Sequence, residues 1–173
     1  MILGFSTQIN GKPTFFVEKI HKSFRIKEVN MQAGIDPKLH YPEGYNFLAK
    51  DKSLPKVHTI RTDLNDRWKK GNKIDFFVNV RKKDMFRFAP VLHVVSIQNI
   101  EILWYRENCN AFPDHRYTYN KRNVRIYVDG LALKIDQIEI LSQNDGFSNL
   151  EDFFEYFNTD FKGKIIHWTD LKY

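Results

Sequence analysis

The spacing of apolar residues along the chain changes period several times, and each change marks an element. Residues 2–9 read as a first strand that ends in an Asn10-Gly11 turn. Phe16, Val17, Ile20 and Phe24 then recur at helical spacing, which predicts a helix over about 14–23 with Pro13 in its first turn. Turn chemistry follows at Asp36-Pro37, at Tyr41-Pro42 with Gly44, and from Lys50 to Ser53. Asp63 as N-cap, Asp66 three residues on, Lys69 and Lys70 in a last turn and Gly71 beyond it predict a short helix anchored by Trp68. Residues 74–80 read as a strand, 81–87 as a basic turn, and 91–105 as a long β-rich run bent or bulged at Gln98-Asn99. Val124, Ile126 and Val128 alternate with polar residues up to an Asp129-Gly130 hairpin loop. The return strand, through Leu131, Leu133 and Ile135, is expected to run to about Leu141. Ser148 and Glu151 form a capping box, ahead of Leu150, Phe153, Phe154 and Phe157 at i, i+3, i+4 and i+7. Residues 164–168 close the chain as a strand.

Turn-linked strands with the two main helices near the ends predict an α+β protein on a small, mostly antiparallel β-barrel. At 173 residues the chain is read as a single domain, 1–173. Aromatics reach 15%, with fifteen Phe, which fits a β-rich core. The net charge of +6 raises the expectation of a polyanionic partner only modestly. The one cysteine, Cys109, has no partner within the chain for a disulfide, and no apolar run approaches a membrane span. A cytoplasmic protein with no membrane association is expected. Neither a Cys-x-x-Cys nor a His-Glu-x-x-His segment occurs, so no metal and no cofactor is expected.

The chemistry is concentrated between Lys56 and Arg61, where two cations, a hydroxyl and an imidazole (Lys56, Arg61, Thr59 and His58) fall within six residues. In an extended strand Thr59 and Arg61 share one face, while Lys56, His58 and Ile60 share the other. Lys56 and Thr59 can meet only where the backbone leaves that form, and Pro55 argues for a loop ending near Lys56. A second basic and aromatic mixture, with Arg106, Arg116, Tyr117, Tyr119, Lys121 and Arg122, fits either base stacking with phosphate pairing or a solvated barrel rim.

Lys56-x-x-Thr59-x-Arg61, followed by Arg67-x-x-x-Gly71-x-x-Ile74, resembles the signature of the ASCH domain family, whose fold is a PUA-like β-barrel. The resemblance is good over roughly 56–80 and traceable at both ends. It implies that residues 25–54 are an insertion between the first helix and the motif, either a packed surface excursion or a lid carrying Tyr41, Tyr45 and Phe47. PUA-like folds commonly bind RNA, so the resemblance implies RNA or a modified nucleotide as ligand, in a cleft lined by Lys56, Thr59 and Arg61. His58, Arg116 and Tyr117 are further candidates for substrate contact.

The alternative implied by the resemblance is an amidohydrolase acting on a modified nucleoside such as acetylated cytidine. In enzymes of that kind a lysine, a threonine and a later glutamate are the proposed catalytic residues. The first two carry over onto Lys56 and Thr59. The glutamate falls near Asn144-Asp145-Gly146, where Asp145 is the one acid and is shorter by a methylene. A lysine whose charged form is disfavoured can take the proton of a threonine hydroxyl, with a carboxylate to orient it. Asp145 read without catalysis is a turn residue.

Overall fold

The structure is a computed structural model, and it describes residues 1–24, 54–105 and 116–173. The expected insertion at 25–54 lies outside the described residues, apart from Leu54.

A strand β1 (Ile2–Phe5) opens the chain. A hairpin follows, of β2 (Gln8–Ile9) and β3 (Lys12–Pro13), paired about Asn10 and Gly11. Pro13 therefore belongs to this hairpin, and helix α1 (Phe16–Ser23) starts later than its apolar spacing predicts. Strand β4 (His58–Arg61) carries the basic motif. The helix expected over the next residues is absent. Asp63 instead accepts the backbone N–H groups of Arg67 (3.0 Å) and Trp68 (2.8 Å), and Asp66 takes a positive φ of 49° that breaks any helical run. Trp68 is still buried as the anchor of this loop. Strands β5 (Lys73–Val78), β6 (Phe86–Arg87), β7 (Leu92–His93) and β8 (Ser96–Tyr105) come next.

The interruption in the long β-rich run falls at Val94-Val95, not at Gln98-Asn99. Strand β8 stays in regular register there, and the Asn99 N–H donates to Asp129 Oδ1. Strands β9 (Tyr117–Tyr119) and β10 (Arg122–Val128) precede the Asp129-Gly130 turn, where both residues have positive φ. The return strand β11 is only Leu131–Ala132, and helix α2 (Ile135–Asn144) replaces its expected continuation. Ile138 and Leu141 are buried at helical spacing, and Gln137 Oε1 accepts the Lys134 N–H to open the helix. Helix α3 (Leu150–Tyr156) is capped by Asn149 rather than Ser148, its side chain accepting from the Asp152 N–H at 2.8 Å. Strand β12 (Phe161–His167) follows.

Three helices and mostly antiparallel sheets make the described residues an α+β arrangement. One sheet runs β1-β5-β6, with β7 also on β5 and a parallel β1–β5 pair. The other runs β11-β10-β8-β12-β4, with β9 on β10. No closed barrel forms among the described residues, because β1 and β4 are not paired with each other. One core gathers Phe5, Phe16, Phe76, Phe88 and Trp168, and a second gathers Ile60, Ile126, Leu141, Phe153 and Phe154. Thr59 lies opposite Ile166, which belongs to the first core, and Ile60 lies opposite Ile165, which belongs to the second. Among the described residues no helix is long and apolar enough to cross a membrane.

Candidate functional site

The site forms where helix α2 ends against the open edge of β4. Gly146, at φ +93°, ends the helix by sending its N–H to the Gln143 carbonyl, and Phe147 sends its own to the Ser142 carbonyl. Such a left-handed cap satisfies the last carbonyls of a helix and turns the chain sharply. A Cβ at Gly146 would lie 3.0 Å from both Lys56 Cδ and the Phe16 ring, so the close approach needs glycine. The turn lays residues 144–146 along β4: Val57 N–H donates to the Asn144 carbonyl, and Ile60 N–H to Asp145 Oδ1 at 3.1 Å. Asp145 thus satisfies a strand edge that would otherwise be unpaired.

Lys56 reaches the same carboxylate. Its Nζ donates to Asp145 Oδ1 at 2.6 Å and to the Asp145 carbonyl, and lies 4.7 Å from the centre of the Phe16 ring. Lys56 is 1% exposed and Asp145 4%. Lys19, also buried, donates to the Gly146 carbonyl at 2.7 Å and accepts the Lys56 N–H on its own carbonyl. Burial lowers the Lys56 amine to about 8, against the opposing pull of Asp145. Burial alone would raise the Asp145 carboxyl, but Lys56 and His58 outweigh it and hold the group below its ordinary value. His58 is fully buried, with Nδ1 3.6 Å from Asp145 Oδ1, and burial lowers its pKa.

Arg61 spans the gap between the sheets, its Nη2 donating to the Gly4 carbonyl of β1 at 2.7 Å and its guanidinium lying over Phe5. Beside it opens a hollow of about 460 Å³, lined by Ile60, Arg61, Thr62, Tyr156, Phe157, Thr159 and Phe161. Of the three residues expected to line a cleft, Arg61 does so and Lys56 and Thr59 do not. Its volume falls in the range of small-molecule sites, and Tyr156 is 48% exposed.

Lys56, His58 and Asp145 are therefore in one place, with Arg61 at the adjoining seam. Thr59 is 3% exposed on the face it shares with Arg61, and among the described residues no Lys56–Thr59 hydrogen bond forms. Arg116 and Tyr117 are not brought to the site. Arg116 precedes β9, and Tyr117 stacks on Phe154 while its hydroxyl donates to Glu151. Strand β9 sits four places across the sheet from β4, about 19 Å at ordinary strand spacing. Sequence reasoning missed Lys19, Tyr156 and Tyr173. The one signal present was for Lys19, which lies between Phe16 and Ser23 on the buried side of α1.

In comparisons with known proteins, no family model, no curated protein and no solved structure matches the chain.

Proposed function

We propose that this chain is an ASCH-like domain of PUA-like form, a barrel left open between β1 and β4, which binds RNA or a modified nucleotide at that seam. The observation that carries the reading is the hollow beside Arg61, with Tyr156, Phe157 and Phe161 in its wall, whose lining residue Ile60 donates its N–H to Asp145 of the buried Lys56–Asp145 pair. A planar base fits such a space by stacking on Tyr156, with Thr62 and Thr159 hydroxyls and the Arg61 guanidinium at its edge. Lys56 is neutralised by Asp145, so a base or nucleoside suits the site better than a phosphate does. Contacts to phosphate would come from the exposed cations around it. The cytoplasmic setting expected from the sequence is part of the proposal.

Base stacking on an aromatic side chain is worth about 1–3 kcal/mol. Tyr156→Ala should therefore weaken binding of cytidine or a short single-stranded RNA by roughly 5- to 150-fold in Kd. Tyr156→Trp should retain it. Calorimetric titrations in which wild type and Tyr156→Ala bind alike would remove the hollow as the base site.

A second reading, hydrolysis of the acetyl group of an acetylated cytidine, is favoured by one observation. The carboxylate at the position implied by the resemblance meets a lysine whose amine is lowered to about 8. In this reading, which requires Thr59 to turn toward Lys56, Asp145 orients the amine and Lys56 takes the Thr59 hydroxyl proton as that oxygen attacks the acetyl carbon. The proton passes to the cytidine nitrogen as its bond to the acetyl breaks, and water then splits the acyl-threonine into acetate and the restored hydroxyl. Turnover of acetylcytidine should be lost in Lys56→Ala and Thr59→Ala, and equal rates in all three proteins would eliminate it.

A further inference from the structure

We infer that Tyr173 is a positioning residue for the Lys56–Asp145 pair: together with Asn144 it fixes His58 as a neutral imidazole that carries its proton on Nδ1 and turns it toward Asp145. For its functional meaning the inference rests on the reading of that pair as part of the site. Its geometry stands independently.

The Asn144 side chain turns its Nδ2, the donor-only end of the amide, to the Tyr173 hydroxyl and donates to it at 2.9 Å. That hydroxyl has one proton of its own, and its other partner is His58 Nε2 at 2.8 Å. The proton therefore goes to His58, and Nε2 must be the bare, accepting nitrogen. An imidazole that accepts at Nε2 is neutral and carries its hydrogen on Nδ1. Nδ1 lies 3.6 Å from Asp145 Oδ1, the oxygen that also takes Lys56 Nζ and Ile60 N–H. His58 Nδ1 faces that oxygen from beyond hydrogen-bond length and has no other partner among the described residues, and Tyr173 decides whether it presents a hydrogen or a lone pair there.

Tyr173 is itself held. Gln98 Nε2 donates to the Tyr173 carbonyl at 2.9 Å, and Gln98 Oε1 accepts the Tyr173 N–H at 2.9 Å. Gln98 in turn donates to Asp129 Oδ2 at 3.0 Å, so the clamp reaches the β10–β11 turn. The groups facing His58 are Asp145 and Lys56 on one side, and Tyr173 and the ring of His167, 5.2 Å away, on the other. His167 is buried on β12 and lowered by burial to about 3. None of these neighbours supplies a competing donor to Nε2. A lone pair turned on Asp145 would weaken its hold on the Lys56 ammonium, so the clamp at Tyr173 governs where the proton of the pair resides.

The test is the tautomer of His58, read from its two ring-nitrogen shifts by NMR in wild type and in Tyr173→Phe, without any ligand. Wild type should show a single form from pH 7 to pH 5.5, protonated on Nδ1 and bare on Nε2. Tyr173→Phe keeps the ring but removes the hydroxyl, and should lose that single form to a mixture that includes Nε2–H. An Nε2–H wild type, or a Tyr173→Phe spectrum with the wild-type form unchanged, overturns the inference. Because no nucleoside is present, either outcome leaves the base-binding proposal standing, and failure of that proposal leaves the tautomer measurement valid.

Discussion

Asp145→Ala should destabilise the fold by about 3–5 kcal/mol, the range found when one partner of a buried ion pair is removed. The side chains of Lys56 and Asp145 are 1% and 6% exposed, so the ammonium left behind is buried. It would keep the carbonyl of residue 145 and the Phe16 face, neither of which carries a compensating charge. Ile60 N–H would also lose its acceptor, and His58 its facing carboxylate. Lys56→Met in the same chain removes the stranded charge, and the double variant should recover most of the loss. The four urea midpoints of this cycle measure it. Additive effects of the two substitutions would mean that the lysine and the carboxylate do not share a buried contact.

The second large effect is loss of stability on acidification. His58 and His167 are both buried, and burial lowers both below the ordinary imidazole value of 6.5. Above pH 6.5 neither the folded nor the unfolded state holds these protons, so the two groups contribute no pH dependence. Below 6.5 the unfolded chain takes up protons that the native state refuses, and stability falls with pH. For His167 the fall continues to about pH 3. Each imidazole contributes a slope of up to about 1.4 kcal/mol per pH unit. Both nitrogens of His167 lack a partner among the described residues, so His167→Phe should fold and remove close to half of the slope. Unfolding midpoints that are level between pH 7 and pH 4.5 would contradict the burial of these rings.

The parts of the fold legible in the sequence are those set by local period. Leu150, Phe153, Phe154 and Phe157 mark α3, and the alternation before Asp129-Gly130 marks β10, because each pattern fits only one backbone geometry. The misreadings fall where two patterns overlap. Leu131, Leu133 and Ile135 alternate as in a strand, yet Ile135, Ile138 and Leu141 also keep helical spacing, and the Gln137 cap favours the helix. Around Asp63 the cap is real, but its carboxylate closes a loop, because Asp66 turns left-handed.

The candidate site was legible unevenly. Lys56, His58 and Arg61 lie together in sequence, whereas Asp145 is 89 residues from Lys56 and no spacing rule links them. Only the resemblance pointed to that segment. Tyr173 gave no signal, because its role depends on a tail folded back onto β8 and β4 by Gln98 and His58. Thr59 shows the limit of carrying a motif over residue by residue. It occupies the right position in the sequence, but strand alternation turns it to the Arg61 face, away from Ile60.

The measurement that bears most directly on the proposed function is a backbone amide shift map recorded while cytidine, and then acetylcytidine, is titrated into the protein. The account predicts the largest movements at Arg61, Thr62, Tyr156 and Thr159, with smaller ones at Ile60 and Asp145. Movements confined to β9 and the Arg116–Tyr117 segment, or none at all at millimolar nucleoside, would contradict it.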